Sequence, residues 1–167
     1  MDLIVGLPGD TFESFKATLD KITELSPESI TVHTLSMKRA STLTMNGKTL
    51  DRQEAETTAK MLSYANRKLH ENEYYPYYLY RQSRMVGNME NTGWSKIGSE
   101  GIYNVFIMDE THTILACGAG AVSKLKDSKT DSLERIFNYK YPYEYINNFE
   151  EILKRKERIE SFYAEHR

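Results

Sequence analysis

The chain has 167 residues, 40% of them apolar and 28% charged, with a formal net charge of -2. That balance suffices for a folded core and offers no basic footprint for nucleic acid. A single cysteine excludes a disulfide framework or a multi-cysteine metal site within this chain. No apolar run approaches the ~20 residues of a membrane span, and Met1-Asp2 lacks a basic leader, so a reducing cytoplasm is the expected location.

The first segment, Asp2-Leu3-Ile4-Val5-Gly6-Leu7-Pro8-Gly9-Asp10-Thr11, is an apolar strand with an acid at its head that runs into a Gly-Pro-Gly turn. A helix follows, with Asp10 and Glu13 expected as a capping box and Phe12, Phe15, Leu19, Ile22 and Leu25 on one face. Ser26-Pro27 ends it, and the β-branched run Ser29–Leu35 predicts a second strand. Strand, helix and strand make a right-handed βαβ unit with parallel strands. A parallel strand buried on both faces needs neighbours on both sides, so the chain reads as the tail of something larger.

The polar stretch from Lys38 to Lys48 reads as a loop, and Asp51 caps a long helix to Glu71 with Ala55, Ala59, Leu62, Ala65 and Leu69 as its inner stripe. Tyr77–Arg81 after Pro76 predicts a strand, followed by a Gly/Asn-rich stretch from Val86 to Trp94. Two more strands are expected at Ile102–Met108 and His112–Cys117, joined by a turn around Asp109-Glu110-Thr111. Gly118-Ala119-Gly120-Ala121 interrupts the second, and Leu133–Tyr139 is a further short strand. Pro142 opens a last helix with Tyr145, Ile146, Phe149, Ile152 and Ile159 on one face. The expected layout is α/β plus α+β: a βαβ piece over 1–50, a bridging helix over 51–73, and over 74–167 a small, mostly antiparallel sheet domain with helices.

Candidate chemistry is sparse. Asp2 in an apolar strand either meets a ligand or is a solvated strand start. Gly6-Leu7-Pro8-Gly9 lets backbone approach an anion, but it is neither a Walker A loop nor a dinucleotide fingerprint. Gly118–Gly120 permits close approach or makes a bulge. Cys117 reads as a small buried apolar residue, because no His or basic partner is near it in sequence. The four histidines, His33, His70, His112 and His166, show no metal-ligand spacing, and His33 at the end of a strand is the one to follow. Arg81 and Arg84 beside the tyrosine run are candidates to pair with carboxylates. Twelve tyrosines suit planar ligands or ordinary half-buried sheet.

Taken in order, MDLIVGLPGDTFESFKATLDKI and PESITVHTLSMKRASTL resemble the end of the catalytic barrel in the oxygen-independent coproporphyrinogen III oxidase family of radical SAM enzymes. The later run, YYPYYLYRQSRMVGNMENTGW with GIYNVFIM and ILACGAGAVSKL, is similar to the C-terminal region of its coproporphyrinogen dehydrogenase branch. The resemblance implies a partial (β/α)6 barrel with a [4Fe-4S] cluster on a C-x3-C-x2-C loop and S-adenosylmethionine on the cluster. It also implies oxidative decarboxylation of coproporphyrinogen III propionates to vinyl groups in haem biosynthesis. With Cys117 alone, the cluster loop and the N-terminal barrel half must lie elsewhere, and this chain alone is expected to be inactive. By the same resemblance Asp2 and Ile4 border S-adenosylmethionine, Ser36 lies near its adenine, and the tyrosine-rich strand and Gly118–Gly120 cover the substrate mouth. The alternative is a haem-binding, chaperone-like protein of the same superfamily; porphyrinogen or haem is the implied small-molecule partner.

Overall fold

In the computed structural model, residues 1–36, 52–81 and 89–166 are described. They form two compact units, residues 1–105 and 106–167. The loop expected at Lys38–Lys48, the cap at Asp51 and Arg84 lie outside the described residues.

In the first unit, β1 (Asp2–Val5), α1 (Phe12–Leu25) and β2 (Ser29–Thr34) form the expected βαβ piece. Its strands are parallel, with Asp2 opposite Thr31 and Ile4 opposite His33. α1 opens one residue later than expected. Thr11 is the cap: its hydroxyl accepts from Ser14 N at 3.1 Å, and Thr11 N donates to Ser14 Oγ at 2.9 Å. A serine one turn in thus performs the reciprocal bond expected of Glu13, while Asp10 Oδ1 accepts from Thr11 N at 3.1 Å. Ser26, in the left-handed region at φ 53°, ends the helix. Phe15, Leu19 and Thr23 are its buried side chains, Ile22 packs against the core, and Leu25, the last helical residue, is 68% exposed.

The long helix α2 (Arg52–Glu71) crosses the same sheet face. Thr58, Met61, Ala65 and Leu69 form its buried seam, rotated from the alanine stripe expected, and Leu62 is only partly buried. Bulk decides the orientation: Met61 and Tyr64 remove more apolar surface from water than Ala55 and Ala59.

β3 (Tyr75–Tyr80) and β4 (Asn91–Ser95) complete a four-stranded sheet in the order β1-β2-β4-β3. The Gly/Asn-rich stretch therefore ends in an internal strand, antiparallel to both β2 and β3. Period-two alternation splits the sheet into two faces. Leu3, Val5, Ile30, Val32 and Trp94 pack with α1 and α2 in one apolar cluster.

α3 (Ile102–Asp109) is a helix where a strand was expected. Asn104 N and Val105 N both donate to Gly101 O, at 2.9 and 3.2 Å, and Asn104 Nδ2 donates to the Tyr77 hydroxyl at 2.8 Å. Helical bonds satisfy this backbone locally, whereas its β-rich composition would need a neighbouring strand.

The second unit is built on the hairpin of β5 (Val122–Lys126) and β6 (Leu133–Phe137). β5 is absent from the sequence expectation. The strand expected at His112–Cys117 is reduced to one bridge, Ile114 with Lys124, bonded both ways at 2.8 Å. Around it side chains replace the ladder: Thr113 Oγ1 accepts from Lys126 N and Ser123 Oγ from Ala116 N, each at 3.0 Å.

The last helix is two helices, α4 (Pro142–Asn147) and α5 (Phe149–Glu165), broken at Asn148. α5 buries Ile152 and Phe162, and Phe162 packs with Leu125 and Ile136 of the hairpin. The break turns the expected face apart: Ile146 is 70% exposed and Phe149 46%. Arg158 ties helix to hairpin through a two-pronged pair with Glu134, both N–O distances 2.8 Å.

Between α1 and α2, Asp20 accepts from Lys16 at 2.8 Å and the Tyr64 hydroxyl at 2.5 Å, with Lys68 at 3.2 Å. Lys16 first, then Tyr64, holds this carboxyl well below the usual carboxylate range. A depressed carboxyl contributes stability above its unfolded value, and the contribution is lost as pH falls through the folded value. Asp20→Asn should cost about 1 kcal/mol at neutral pH. The gap from wild type should begin to narrow below about pH 4, where the unfolded carboxyl protonates, and close only in acid strong enough to protonate the folded carboxyl as well. Thermal unfolding across that pH range checks this; a gap that does not narrow in acid would assign the cost to packing.

Candidate functional site

The helices cover one face of the four-stranded sheet; the other carries the polar and aromatic residues. Alternation places Asp2 and Ile4 of β1, Thr31 and His33 of β2, Gly93 of β4, and Tyr78 and Tyr80 of β3 on this second face. The Asp2 side chain is 71% exposed, and Ile4 is 43% exposed although it is aliphatic.

Gly93 organises the face. A Cβ built there would lie 1.8 Å from the Tyr78 ring. The empty position admits that ring across β4, where its hydroxyl shares a hydrogen bond of 3.1 Å with Thr31 Oγ1 on the far side. Burial raises the Tyr78 phenol above its ordinary value. The Tyr80 ring stacks near-parallel to it, 9° apart with centroids 6.3 Å apart. Tyr80 OH is 3.4 Å from His33 Nδ1, and His33 Nε2 is 3.4 Å from Asp2 Oδ1. Side chains from β1, β2 and β3 are thereby connected across one surface, over the glycine of β4.

Beyond the strands, Gly6 and Gly9 both sit at φ 82°, so the Gly-Leu-Pro-Gly turn uses a conformation that glycine tolerates. A shallow cavity of about 240 Å³ opens beside this turn, lined by Leu7, Asp10, Thr58 and Met61 among others. Ser36 lies two residues past β2 and is half-buried. Leu35 N donates to Val5 O at 3.0 Å, which carries the parallel pairing to the strand end beside it.

No protein-family model matches the chain. It is 45% identical, over 150 residues and 90% of its length, to the oxygen-independent coproporphyrinogen-III oxidase-like protein HemZ of Bacillus subtilis. The chain belongs to the oxygen-independent coproporphyrinogen III oxidase-like family. It spans 30% of that relative's length. Its fold is also similar, with a TM-score of 0.57 over 90% of the chain, to coproporphyrinogen III oxidase HemN from Escherichia coli, described as a radical SAM enzyme. Identity there is 18% and the chain covers 33% of that structure, so this likeness concerns fold alone.

Of the residues the sequence singled out, Asp2, Ile4 and His33 come together on the open face. Arg81 is exposed and lies 3.6 Å from Glu90. Cys117 is exposed, contrary to the buried role expected, because the turn after it carries it outward. Gly118 (φ 98°) and Gly120 (φ 73°) form that turn, which is fastened by Gly120 N to Tyr139 O at 2.7 Å and Asn138 Nδ2 to Gly118 O at 2.8 Å. Among the described residues no group of three or more His, Cys, Asp and Glu side chains is placed to hold a metal, and no helix is long and apolar enough to cross a membrane. The sequence reading missed Thr31, Gly93 and the distinct parts of Tyr78 and Tyr80. Their signal was the alternation Asp-x-Ile, Thr-x-His and Tyr-x-Tyr, legible only once the strands are paired.

Gly93→Ala should displace the Tyr78 ring and cost about 1–3 kcal/mol, whereas Tyr78→Phe should cost about 1 kcal/mol by losing only the Thr31 bond. Chemical denaturation of the two variants checks the order, and a harmless Gly93→Ala would show that the ring has room to move. Gly120→Val places a β-branched residue at positive φ and should cost about 1–3 kcal/mol, read as a lower Tm; an unchanged Tm would remove the strain argument.

Proposed function

We propose that this chain is the C-terminal third of a radical SAM oxidoreductase that decarboxylates coproporphyrinogen III oxidatively in haem biosynthesis. The observation that supports the reading is the two-faced sheet at the parallel β1-β2 pair, within a segment 45% identical to a coproporphyrinogen-III oxidase-like relative. In this reading β1 and β2 are the last strands of a partial (β/α)6 barrel. The helix-covered face looks outward and the open face lines the lumen, as in closed α/β barrels.

The residues present fit S-adenosylmethionine in part. Asp2 offers an exposed carboxylate, an acceptor for ammonium or ribose hydroxyl groups, and Ile4 beside it offers apolar surface for an adenine. Ser36, at the strand end, is proposed near the same base. They do not fit the cluster: one cysteine supplies one thiolate where the family's loop carries three. The cluster therefore belongs to residues other than these, and the chain by itself is inactive. When bound to a reduced cluster, S-adenosylmethionine supplies a 5′-deoxyadenosyl radical able to take hydrogen from carbon. This chain's part is to hold the nucleoside and to wall the lumen with Tyr78 and Tyr80, flat faces suited to a tetrapyrrole. A cytoplasmic location accompanies this reading.

A full-length protein carrying this segment behind a cluster-binding region should convert coproporphyrinogen III to protoporphyrinogen IX and release 5′-deoxyadenosine, followed by chromatography. In it Asp2→Asn should weaken S-adenosylmethionine binding about tenfold, the loss of one charge-assisted bond. Deoxyadenosine without decarboxylation would reject the substrate, and unaltered affinity would remove Asp2 from the site.

A further inference from the structure

His33 occupies the middle of the open face, between partners on two other strands. Tyr80 OH lies 3.4 Å from Nδ1 and Asp2 Oδ1 lies 3.4 Å from Nε2. An ionised carboxylate only accepts, so Nε2 carries the hydrogen toward Asp2. In the neutral ring Nδ1 is then the acceptor, and the Tyr80 hydroxyl donates to it. Each contact is long, and neither alone would hold an imidazole. Together they act at two separate nitrogens and set both the ring's plane and its tautomer.

The donor is itself held in place. Tyr80 stacks on Tyr78, and Tyr78 is fastened to Thr31 across the space that Gly93 leaves empty. Order thus passes from an internal glycine, through two tyrosines and one histidine, to a carboxylate on the edge strand. Without this chain Asp2, with its side chain 71% exposed, would sample its rotamers in water and lose that freedom on binding a ligand.

We propose that His33 is a positioning residue: fixed by Tyr80 as the Nε2–H tautomer, it aims the Asp2 carboxylate into the open face before ligand arrives. The proposal rests on the function above for the identity of the ligand, S-adenosylmethionine, and on the strand geometry for everything else. His33 works through Asp2, in the way an outer hydrogen-bond partner orients a binding group.

Two measurements test it. Spectra of the 15N-histidine-labelled chain at about pH 8, where an ordinary imidazole is neutral, should show His33 as one tautomer with hydrogen on Nε2. Tyr80→Phe and Asp2→Asn should each convert it to a mixture. A mixture already present in wild type, or a tautomer that neither substitution moves, would overturn the proposal. In the full-length protein, His33→Phe keeps a ring without a donor and should raise the Kd for S-adenosylmethionine about 3- to 10-fold, one hydrogen bond's worth. His33→Gln, which keeps a donor, should stay within about twofold. Equal weakening by both, or no weakening by Phe while Asp2→Asn still matters, would reject the positioning role. The tautomer spectra contain no nucleoside, so a fixed tautomer combined with an affinity indifferent to Asp2 would instead reject the functional reading.

Discussion

The absent side chain at Gly93 lets the open face of the sheet exist as a connected surface. Any Cβ at this internal strand position would occupy the Tyr78 ring. With hydrogen there, the ring lies over the backbone of β4, and its hydroxyl reaches Thr31 on the next strand. An aromatic laid over a glycine in a neighbouring strand recovers apolar contact that the glycine forfeits, and it fixes which residues oppose each other. The strand bulges between Pro76 and Tyr78 beside this contact, which re-aims the tyrosines that follow.

The opposite face follows different physics. Phe15, Leu19, Met61, Ala65 and Leu69 cover Leu3, Val5, Ile30, Val32 and Trp94, a non-directional burial that sets the sheet's inner side. Polar contacts set the registry of the helices that cover it. Asp20 on α1 gathers Lys16, Tyr64 and Lys68 into one cluster that spans the helix pair. In the second unit Glu110 does similar work, receiving Lys124 at 2.7 Å and Arg135 at 2.6 Å, and both cations hold its carboxyl below the ordinary range. Arg158 and Lys156 anchor α5, the latter donating to Ser123 Oγ at 2.7 Å and Ala116 O at 3.0 Å.

Among the described residues the sheet has one apolar, helix-covered face and one aromatic and polar face, and the functional reading uses the second. Family membership comes from sequence likeness, whereas the parts assigned to Asp2, Ile4 and His33 rest on their shared side of paired strands.

The βαβ opening was legible because it is local: an apolar run, a Gly-Pro-Gly turn, a capped amphipathic helix and a β-branched run follow one another within thirty-four residues. Individual helices with strong periodicity, α1 and α2, were legible too, although bulk and not spacing chose the buried seam of α2. Where two local solutions compete, composition misled. Ile102–Asp109 is as rich in β-formers as a strand, yet among the described residues no strand pairs with it, and its backbone closes on itself as a helix. β4, with Asn, Gly and Ser among its five residues, reads as loop and becomes an internal strand because β2 and β3 supply its bonds from both sides. The sequence by itself therefore determined the opening unit and the family. The tertiary structure alone decided that Gly93 meets Tyr78 and that His33 lies between Tyr80 and Asp2. Those pairs are separated by as many as 47 residues, and only strand register brings them within reach.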